Sequence, residues 1–153
     1  MSAEYLRSFL DPKLFDAKCD RVIANIRKMR QKIPFDCITF TGLSGYLIAP
    51  VVCREMNVAM LPIRKSGAKT HSEAKIEQYP DREYKRAIIL DDFIEYGDTV
   101  RRIIMILRKE MPYTKVVGLA MHCKWDIDNW DTMPSTHFVE RIKPSITLPK
   151  WYV

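Results

Sequence analysis

The sequence lacks the features that mark a membrane-spanning or secreted chain. Its 153 residues contain no apolar run long enough to cross a bilayer, and the N-terminus has no apolar core of a signal peptide. Internal repeats, low-complexity segments and linker-like stretches are also absent from the sequence. We therefore expect one soluble, cytoplasmic domain over residues 1–153 that has no membrane partner.

Cysteine is scarce and widely spaced. The four cysteines, Cys19, Cys37, Cys53 and Cys123, form no Cys-x-x-Cys pair, and three of them fall in apolar segments. His122 and Cys123 are neighbours on a predicted strand, so their side chains should point to opposite faces. This spacing argues against a zinc site, and we expect reduced core thiols.

An unbroken run of basic residues is missing, although the net charge is +6 at pH 7. The surplus of positive charge favours anionic ligands, whereas a nucleic-acid-binding arm would need a continuous basic run.

Asp11-Pro12 predicts the start of a helix that ends before Pro34. Opposite its apolar positions this helix carries Arg21, Arg27, Lys28 and Arg30. These basic side chains are better explained as a solvated face of the helix, and binding of an anion or of RNA is the minority interpretation.

The most informative stretch runs from Arg86 to Val100. Its short apolar and β-branched run, Ile88–Leu90, predicts a buried strand that ends in Asp91-Asp92. Apolar residues recur at helical spacing from Val100 onwards. The order is therefore strand, loop and helix, with the acidic pair at the edge where open α/β sheets bind ligands.

The loop that follows the acidic pair has the parts of a phosphate site. A helix N-terminus offers unpaired N–H groups and the positive end of a dipole. Gly97 permits a tight turn, and Thr99 adds a hydroxyl and a helix cap. Asp91 and Asp92 are able to accept hydrogen bonds from sugar hydroxyls. The pattern predicts a ribose 5-phosphate ligand; the alternative is an ordinary α/β turn with surface acids.

Ile88-Ile89-Leu90-Asp91-Asp92, followed by Gly97 and Thr99, resembles the phosphoribosyl pyrophosphate (PRPP) binding motif of type I phosphoribosyltransferases. The resemblance implies an α/β fold: a parallel, twisted sheet flanked by helices, with a Rossmann-like core over about residues 35–123. A small irregular hood over 124–153 would hold the base. The implied reaction transfers ribose 5-phosphate from PRPP to a nucleobase, a purine, and releases pyrophosphate. Mg²⁺ is the implied cofactor and a homodimer the implied assembly.

Two earlier segments fit the same resemblance. Cys37–Phe40 is a predicted strand, and the glycine-rich turn after it precedes a predicted helix, which gives a second anion site. In the family the corresponding loop binds pyrophosphate, which assigns Leu43, Ser44 and Gly45 to this role; a plain tight turn has the same pattern. A predicted strand over 58–63 ends in Arg64-Lys65, a basic pair similar to the one that meets pyrophosphate in adenine phosphoribosyltransferases. A solvated strand end is the alternative for that pair.

Residues 66–84 form a long polar segment, which is typical of a lid or of a disordered loop. In the family the matching loop closes over the reacting centre and excludes water. We expect few apolar anchors in this segment. Tyr79, His71 and Lys75 are candidates to reach the ligand.

The resemblance also assigns the chemistry. Asp91 and Asp92 take the ribose hydroxyls, with an indirect role at Mg²⁺. The 5-phosphate loop comprises Glu95, Tyr96, Gly97, Asp98 and Thr99. Glu95 is the candidate general base, with a surface acid at a loop tip as the alternative. Lys124 is the candidate contact to the purine.

Two positions depart from the family motif. Tyr96 replaces a small or hydroxylic residue, and Asp98 puts a carboxylate beside the phosphate, which weakens binding unless Asp98 points outward as a helix cap. These departures leave room for a PRPP- or nucleotide-sensing regulator on the same fold. Nucleic acid, bound through the basic first helix, is a partner only under that alternative. Glu95, Lys65 and the long lid favour the enzyme.

Overall fold

The computed structural model describes residues 6–65, 67, 74–79, 81–92 and 98–122. In chain order its elements are α1 (Arg7–Leu10), α2 (Pro12–Lys32), β1 (Cys37–Thr41), α3 (Gly42–Met56), β2 (Ala59–Ile63), β3 (Arg86–Asp91), α4 (Asp98–Glu110) and β4 (Lys115–Met121). The strands form one sheet in the order β2-β1-β3-β4, and each neighbouring pair is parallel. The predicted fold class, a parallel sheet flanked by helices, is confirmed. The expected hood over 124–153 lies outside the described residues.

Local signals in the sequence set the helix ends. The Asp11 carboxylate accepts a hydrogen bond of 3.0 Å from the Leu14 N–H, and Pro12 is the first residue of α2, as predicted. Asn57 ends α3 in the left-handed conformation, with φ at 51°, which asparagine tolerates better than most residues. Among the described residues no helix is both long and apolar enough to span a membrane.

Helices cover both faces of the sheet, and the strand residues alternate between them. On one face α2 and α3 bury Ile38, Phe40, Ile88, Leu90 and Ala120. On the other face α4 packs with Cys37, Ala87, Ile89, Leu119 and Met121. Because both faces are covered, β1 is buried at every residue and β3 at every residue after Arg86, which is why the run Ala87–Leu90 is apolar without alternation.

The order of the strands reverses between β1 and β3. From β1 the chain moves outward through α3 to β2, and from β3 it moves in the opposite direction through α4 to β4. The two crossover helices lie on opposite faces, as right-handed crossovers running in opposite directions require. In such sheets ligands bind at the carboxyl ends of the two strands that flank the reversal. The fold therefore marks the ends of β1 and β3 as the place for a site.

The separate glycine-rich turn expected after β1 is absent. Helix α3 begins at Gly42, directly after the last residue of β1, so Leu43, Ser44 and Gly45 form its first turn. The sharp change of direction occurs at Gly42 alone, whose φ of 73° is in the left-handed region.

The expectation of few apolar anchors is wrong for the second half of the 66–84 segment. Ile76 and Tyr84 are buried and belong to the core cluster under α4. The Arg64 N–H donates to the Lys75 carbonyl and the Glu77 N–H to the Pro62 carbonyl, each at 3.0 Å. This stretch therefore runs antiparallel along the free edge of β2. The lid itself stays a prediction, because residues 66, 68–73 and 80 lie outside the described residues.

Two of the basic side chains on α2 make hydrogen bonds to the protein, although one of them, Arg21, is itself exposed. Arg30 donates to the Met56 carbonyl at 2.6 Å, at the end of α3, and its guanidinium lies 5.3 Å from the Phe35 ring centroid. Arg21 donates to the His122 carbonyl at 3.1 Å. The solvated interpretation holds for Arg27 and Lys28, which are exposed.

Candidate active site

The carboxyl ends of the parallel strands bring distant parts of the chain to one edge of the sheet. Gly42 follows β1, Arg64-Lys65 follows β2, Asp92 follows β3, which ends at Asp91, and His122 follows β4. The edge lies between the first turns of α3 and α4. This placement agrees with the sequence-based assignment of Asp91, Asp92 and Lys65 to one site.

The first carboxylate of the acidic pair lies in an environment that favours its neutral form. Asp91 is buried, with 6% of its surface exposed, and its Oδ1 accepts a hydrogen bond of 2.9 Å from the Asp92 N–H. Burial first, and then the neighbouring Asp92 carboxylate, raise the pKa of Asp91 to about 7, while the Lys65 ammonium partly opposes the rise. A cation or a set of hydroxyl donors at this position would stabilise the ionised form.

Lys65 lies across the start of α3. A β-carbon built on Gly42 would come within 2.9 Å of Lys65 Cε and 3.3 Å of Lys65 Nζ. The ammonium group is thus next to the first N–H groups of α3, which carry the positive end of that helix dipole. This arrangement gives two sources of positive charge for one anionic group.

The other residues assigned to pyrophosphate have different environments. Arg64 forms an ion pair with Glu77 on the stretch beside β2, so Lys65 is the member of the basic pair that acts on Asp91. Gly45 packs closely on β1, because a β-carbon there would come within 2.6 Å of the Phe40 ring. Ser44 is buried, and the side chain of Leu43 is 58% exposed.

Arg102 is a site residue that the sequence did not identify. Its Nη2 donates to Thr41 Oγ1 at 2.9 Å, and Thr41 is the buried last residue of β1. Helical side chains lean toward the N-terminus, so a residue in the second turn of α4 reaches the edge of the sheet. The available signal was its position four residues after Asp98, on the same helix face. Asp98 is exposed and begins α4, where its carboxylate complements the helix dipole.

His122 joins the site from the opposite side. Strand β4 ends at Met121, and the buried His122 follows it instead of lying within the strand. Its N–H donates to the Asp91 carbonyl at 2.9 Å, and its carbonyl accepts from Lys18 Nζ at 2.8 Å. Burial first, and then the Lys18 charge, lower the pKa of His122 to about 4, so the ring is neutral at pH 7.

Several predicted site residues lie outside the described residues, namely Glu95, Tyr96, Gly97 and Lys124. Thr99 is exposed in the first turn of α4, which begins at Asp98, so the expectation that Thr99 caps this helix is wrong. In the part of the chain that the structure describes, no three acidic, histidine or cysteine side chains cluster as a metal site. Asp91 and Asp92 supply carboxylate oxygens at the sheet edge.

Comparison with curated proteins finds adenine phosphoribosyltransferases among the relatives of this chain. No protein-family model matches the chain. The chain is 26% identical over 116 residues to the adenine phosphoribosyltransferase of Bordetella parapertussis, which covers 65% of this chain and 60% of that protein. It is 41% identical over 78 residues to that of Burkholderia ambifaria, which covers 42% of each. The chain spans about 60% of the length of the first curated relatives that it matches.

Solved structures of phosphoribosyltransferases share the fold of this chain. Adenine phosphoribosyltransferase from Saccharomyces cerevisiae, complexed with adenine and an imino-altritol bisphosphate, has a TM-score of 0.63 at 17% identity over 95% of this chain and 80% of that one. Orotate phosphoribosyltransferase from Aeropyrum pernix has a TM-score of 0.60 at 14% identity over 75% of this chain and 62% of that one.

Proposed function

This chain has the fold of the type I phosphoribosyltransferases, as its motif predicts, and on that premise we propose that it transfers ribose 5-phosphate from PRPP to a purine. One observation carries the proposal. Lys65 lies beside Gly42 and acts on Asp91 of the acidic pair, at the edge of the sheet where the strand order reverses. Adenine is the first base to test, because the sequence relatives are adenine phosphoribosyltransferases.

The proposed reaction exchanges one bond at C1 of the ribose. A nitrogen of the base forms a bond to C1 while the bond from C1 to the pyrophosphate oxygen breaks. The base loses a proton, and pyrophosphate leaves with the bonding electrons. Positive charge develops on the ribose ring and negative charge on the leaving group, so the protein must place fixed charges beside both.

The described residues supply these charges. Asp91 and Asp92 accept hydrogen bonds from the ribose hydroxyls, which orients the ring and favours its positive charge. Lys65 and the first N–H groups of α3 face the pyrophosphate. The first turn of α4, with Thr99, faces the 5-phosphate, and Arg102 adds a cation between α4 and the end of β1.

Mg²⁺ fits the acidic pair. This ion binds one or two carboxylates and takes its other ligands from substrate phosphates and water. Asp91 and Asp92 supply such a pair, and the raised pKa of Asp91 supports a need for positive charge there. When bound, Mg²⁺ would neutralise charge on the pyrophosphate. We propose Glu95 as the acceptor of the base proton and Lys124 as a contact to the purine, in a homodimeric enzyme.

The test is pyrophosphate release from PRPP and Mg²⁺ with a panel of adenine, guanine, hypoxanthine and orotate. We expect release with adenine, formation of the matching nucleotide, and loss of both with a chelator. The double variant Asp91→Asn, Asp92→Asn, purified in parallel, controls for contaminating enzymes. Calorimetric binding of PRPP without release for any base would reject the enzyme in favour of the sensing regulator. Absence of both binding and release would reject both functions.

A further inference from the structure

Two cations on α2 converge on a single carbonyl at the end of β4. Lys18 Nζ and Arg21 Nη2 donate to the His122 carbonyl at 2.8 and 3.1 Å. Lys18 is 6% exposed, and its ammonium group lies 4.9 Å from the Phe9 ring centroid. We call Lys18, Arg21 and His122 the β4 clamp. The β4 clamp attaches α2 to the edge of the sheet that holds the candidate active site.

His122 in turn contacts both halves of the candidate site, the end of β3 and the first turn of α3. Its N–H donates to the Asp91 carbonyl at 2.9 Å, which fixes the end of β3 beside the end of β4. The His122 side chain also lies close enough to the backbone of Ser44, in the first turn of α3, to interact with it. The ring also meets Phe9 edge to face, with centroids 5.5 Å apart. The acidic pair and the first turn of α3 are therefore connected through one buried residue.

A buried ammonium group is an expensive way to attach a strand end. Removing a charge from water is unfavourable even when hydrogen bonds are made, and an apolar side chain of similar length would fill the space at lower cost. In return the amine fixes a carbonyl direction that packing alone would not define. The two cations also add positive potential next to the acidic pair, because Asp92 and Lys18 both act on the same imidazole.

Resting on the proposed function, we propose that Lys18 is a positioning residue for the transfer. Through His122 it fixes the spacing between Asp91, which takes the ribose, and the first turn of α3, which takes the pyrophosphate. It contacts neither PRPP nor the base. Because a shift of about 1 Å in a reacting group can cost on the order of a hundredfold in rate, holding this spacing has a direct effect on catalysis.

The experiment compares Lys18→Met with a matched variant on the same helix, Arg30→Met. Both wild-type side chains donate to a main-chain carbonyl, but Arg30 binds that of Met56 at the opposite end of α3. For Lys18→Met we expect PRPP affinity to fall about tenfold and kcat to fall with it, because both ends of PRPP lose their relative placement. We expect the KM for the base to stay within about twofold. Lys18→Arg, which keeps a charged donor, should recover most of the loss.

The control separates positioning from general stability. Arg30→Met should lower the unfolding midpoint as Lys18→Met does and leave PRPP affinity within about twofold of wild type. Equal PRPP affinities for the two variants would overturn the proposal and leave the β4 clamp a stabilising contact only. If Lys18→Met does not fold, Arg21→Met replaces it, with a smaller loss in the same direction as the supporting result and none as the contrary one.

A second measurement keeps the inference independent of activity. Amide hydrogen exchange of the ligand-free protein should be faster in Lys18→Met than in Arg30→Met at peptides covering 41–46 and 86–92. If the wild type binds no PRPP, the proposed function fails by itself, and this comparison decides the positioning. Equal exchange at both peptides in the two variants would overturn it.

Discussion

Asp91 illustrates how one residue is prepared for a ligand. Its burial and its acidic neighbour favour the neutral carboxyl, and Lys65 only partly opposes them. Ribose hydroxyls would donate to the ionised form and so favour it. The ligand-free site therefore holds a carboxylate whose full stabilisation depends on what binds. A carboxylate on the protein surface differs in this respect, because water stabilises its charge without any ligand.

Replacing Asp91 and Asp92 together by asparagine tests this role. The change keeps the shape of both side chains and removes charge-assisted hydrogen bonds, each worth about 1.5–3 kcal/mol. We expect at least a tenfold loss in PRPP affinity or turnover, with an unfolding midpoint close to that of wild type. Calorimetry and turnover assays that both return wild-type values would reject the assignment.

Glu95 lies outside the described residues, and its catalytic role stays a prediction. Glu95→Gln should retain PRPP binding and slow the chemical step, since general-base catalysis contributes about 10²–10⁴-fold. Single-turnover kinetics separate that step from product release. A single-turnover rate within about threefold of wild type would leave Glu95 as a solvated loop acid.

At the level of residues, the sequence identified those that adjoin a strand end in the chain. Asp91, Asp92 and Lys65 directly follow or end apolar runs, so the edge of a parallel sheet collects them. Arg102 and Lys18 come from helices, and packing decides which way a helix presents its side chains. A local pattern holds no information about the carbonyl or hydroxyl that such a side chain will meet.

The start of α3 is the element on which the proposed pyrophosphate site depends. Gly42→Ala forces a β-carbon into the left-handed region, at about 1–2 kcal/mol, and against Lys65 at 2.9 Å. We expect a lower unfolding midpoint and PRPP binding weakened several-fold, as Lys65 is displaced. Gly67→Ala is the matched control, because Gly67 also has a positive φ, at 81°, and no atom of the described residues lies within 4 Å of a β-carbon there. Equal effects of both variants on PRPP affinity would exclude a role for the Gly42–Lys65 contact.

The segment 66–84 divides into two parts with different expectations. Because Ile76 and Tyr84 anchor its second half, we expect trypsin to cut after Lys69 before it cuts after Lys75, whose carbonyl is bonded to Arg64. PRPP with Mg²⁺ should slow the cut. Two results would contradict a lid: first cleavage after Lys75, or a rate of cleavage after Lys69 that is the same with and without PRPP and Mg²⁺.

At the level of elements, the types were predictable and the junctions were not. Strands buried on both faces give continuous apolar runs such as Ile88–Leu90, and α4 gives a clear helical period. The junction at Gly42 was missed, because a glycine-rich turn and the first turn of a helix have the same composition. The pairing of residues 74–79 with β2 depends on a sheet edge that no local pattern reveals.

For the molecule as a whole, the cysteines report on the integrity of the core. Cys19, Cys37 and Cys53 are buried free thiols, as the sequence predicted, and burial raises the pKa of Cys53 to about 12. In the folded protein we expect no reaction of these three with a disulfide reagent at pH 8, and full reaction in urea. Rapid modification of the native protein, mapped by mass spectrometry to any of the three, would contradict this packing.

The reversal of strand order also has a consequence for folding. The units β1-α3-β2 and β3-α4-β4 each pair strands that are close in sequence. The seam between the two units, where β1 pairs with β3, joins residues about fifty positions apart. An example beside it is the 3.1 Å hydrogen bond from the Arg86 N–H to Asp36 Oδ1. Distant pairings form slowly, so we expect the two units to dock late and to expose apolar strand edges until they do. Asp91 and Gly42 lie on opposite sides of that seam. The binding site is therefore completed by the last step of folding, and PRPP, if it binds there, would favour the docked state over every earlier intermediate.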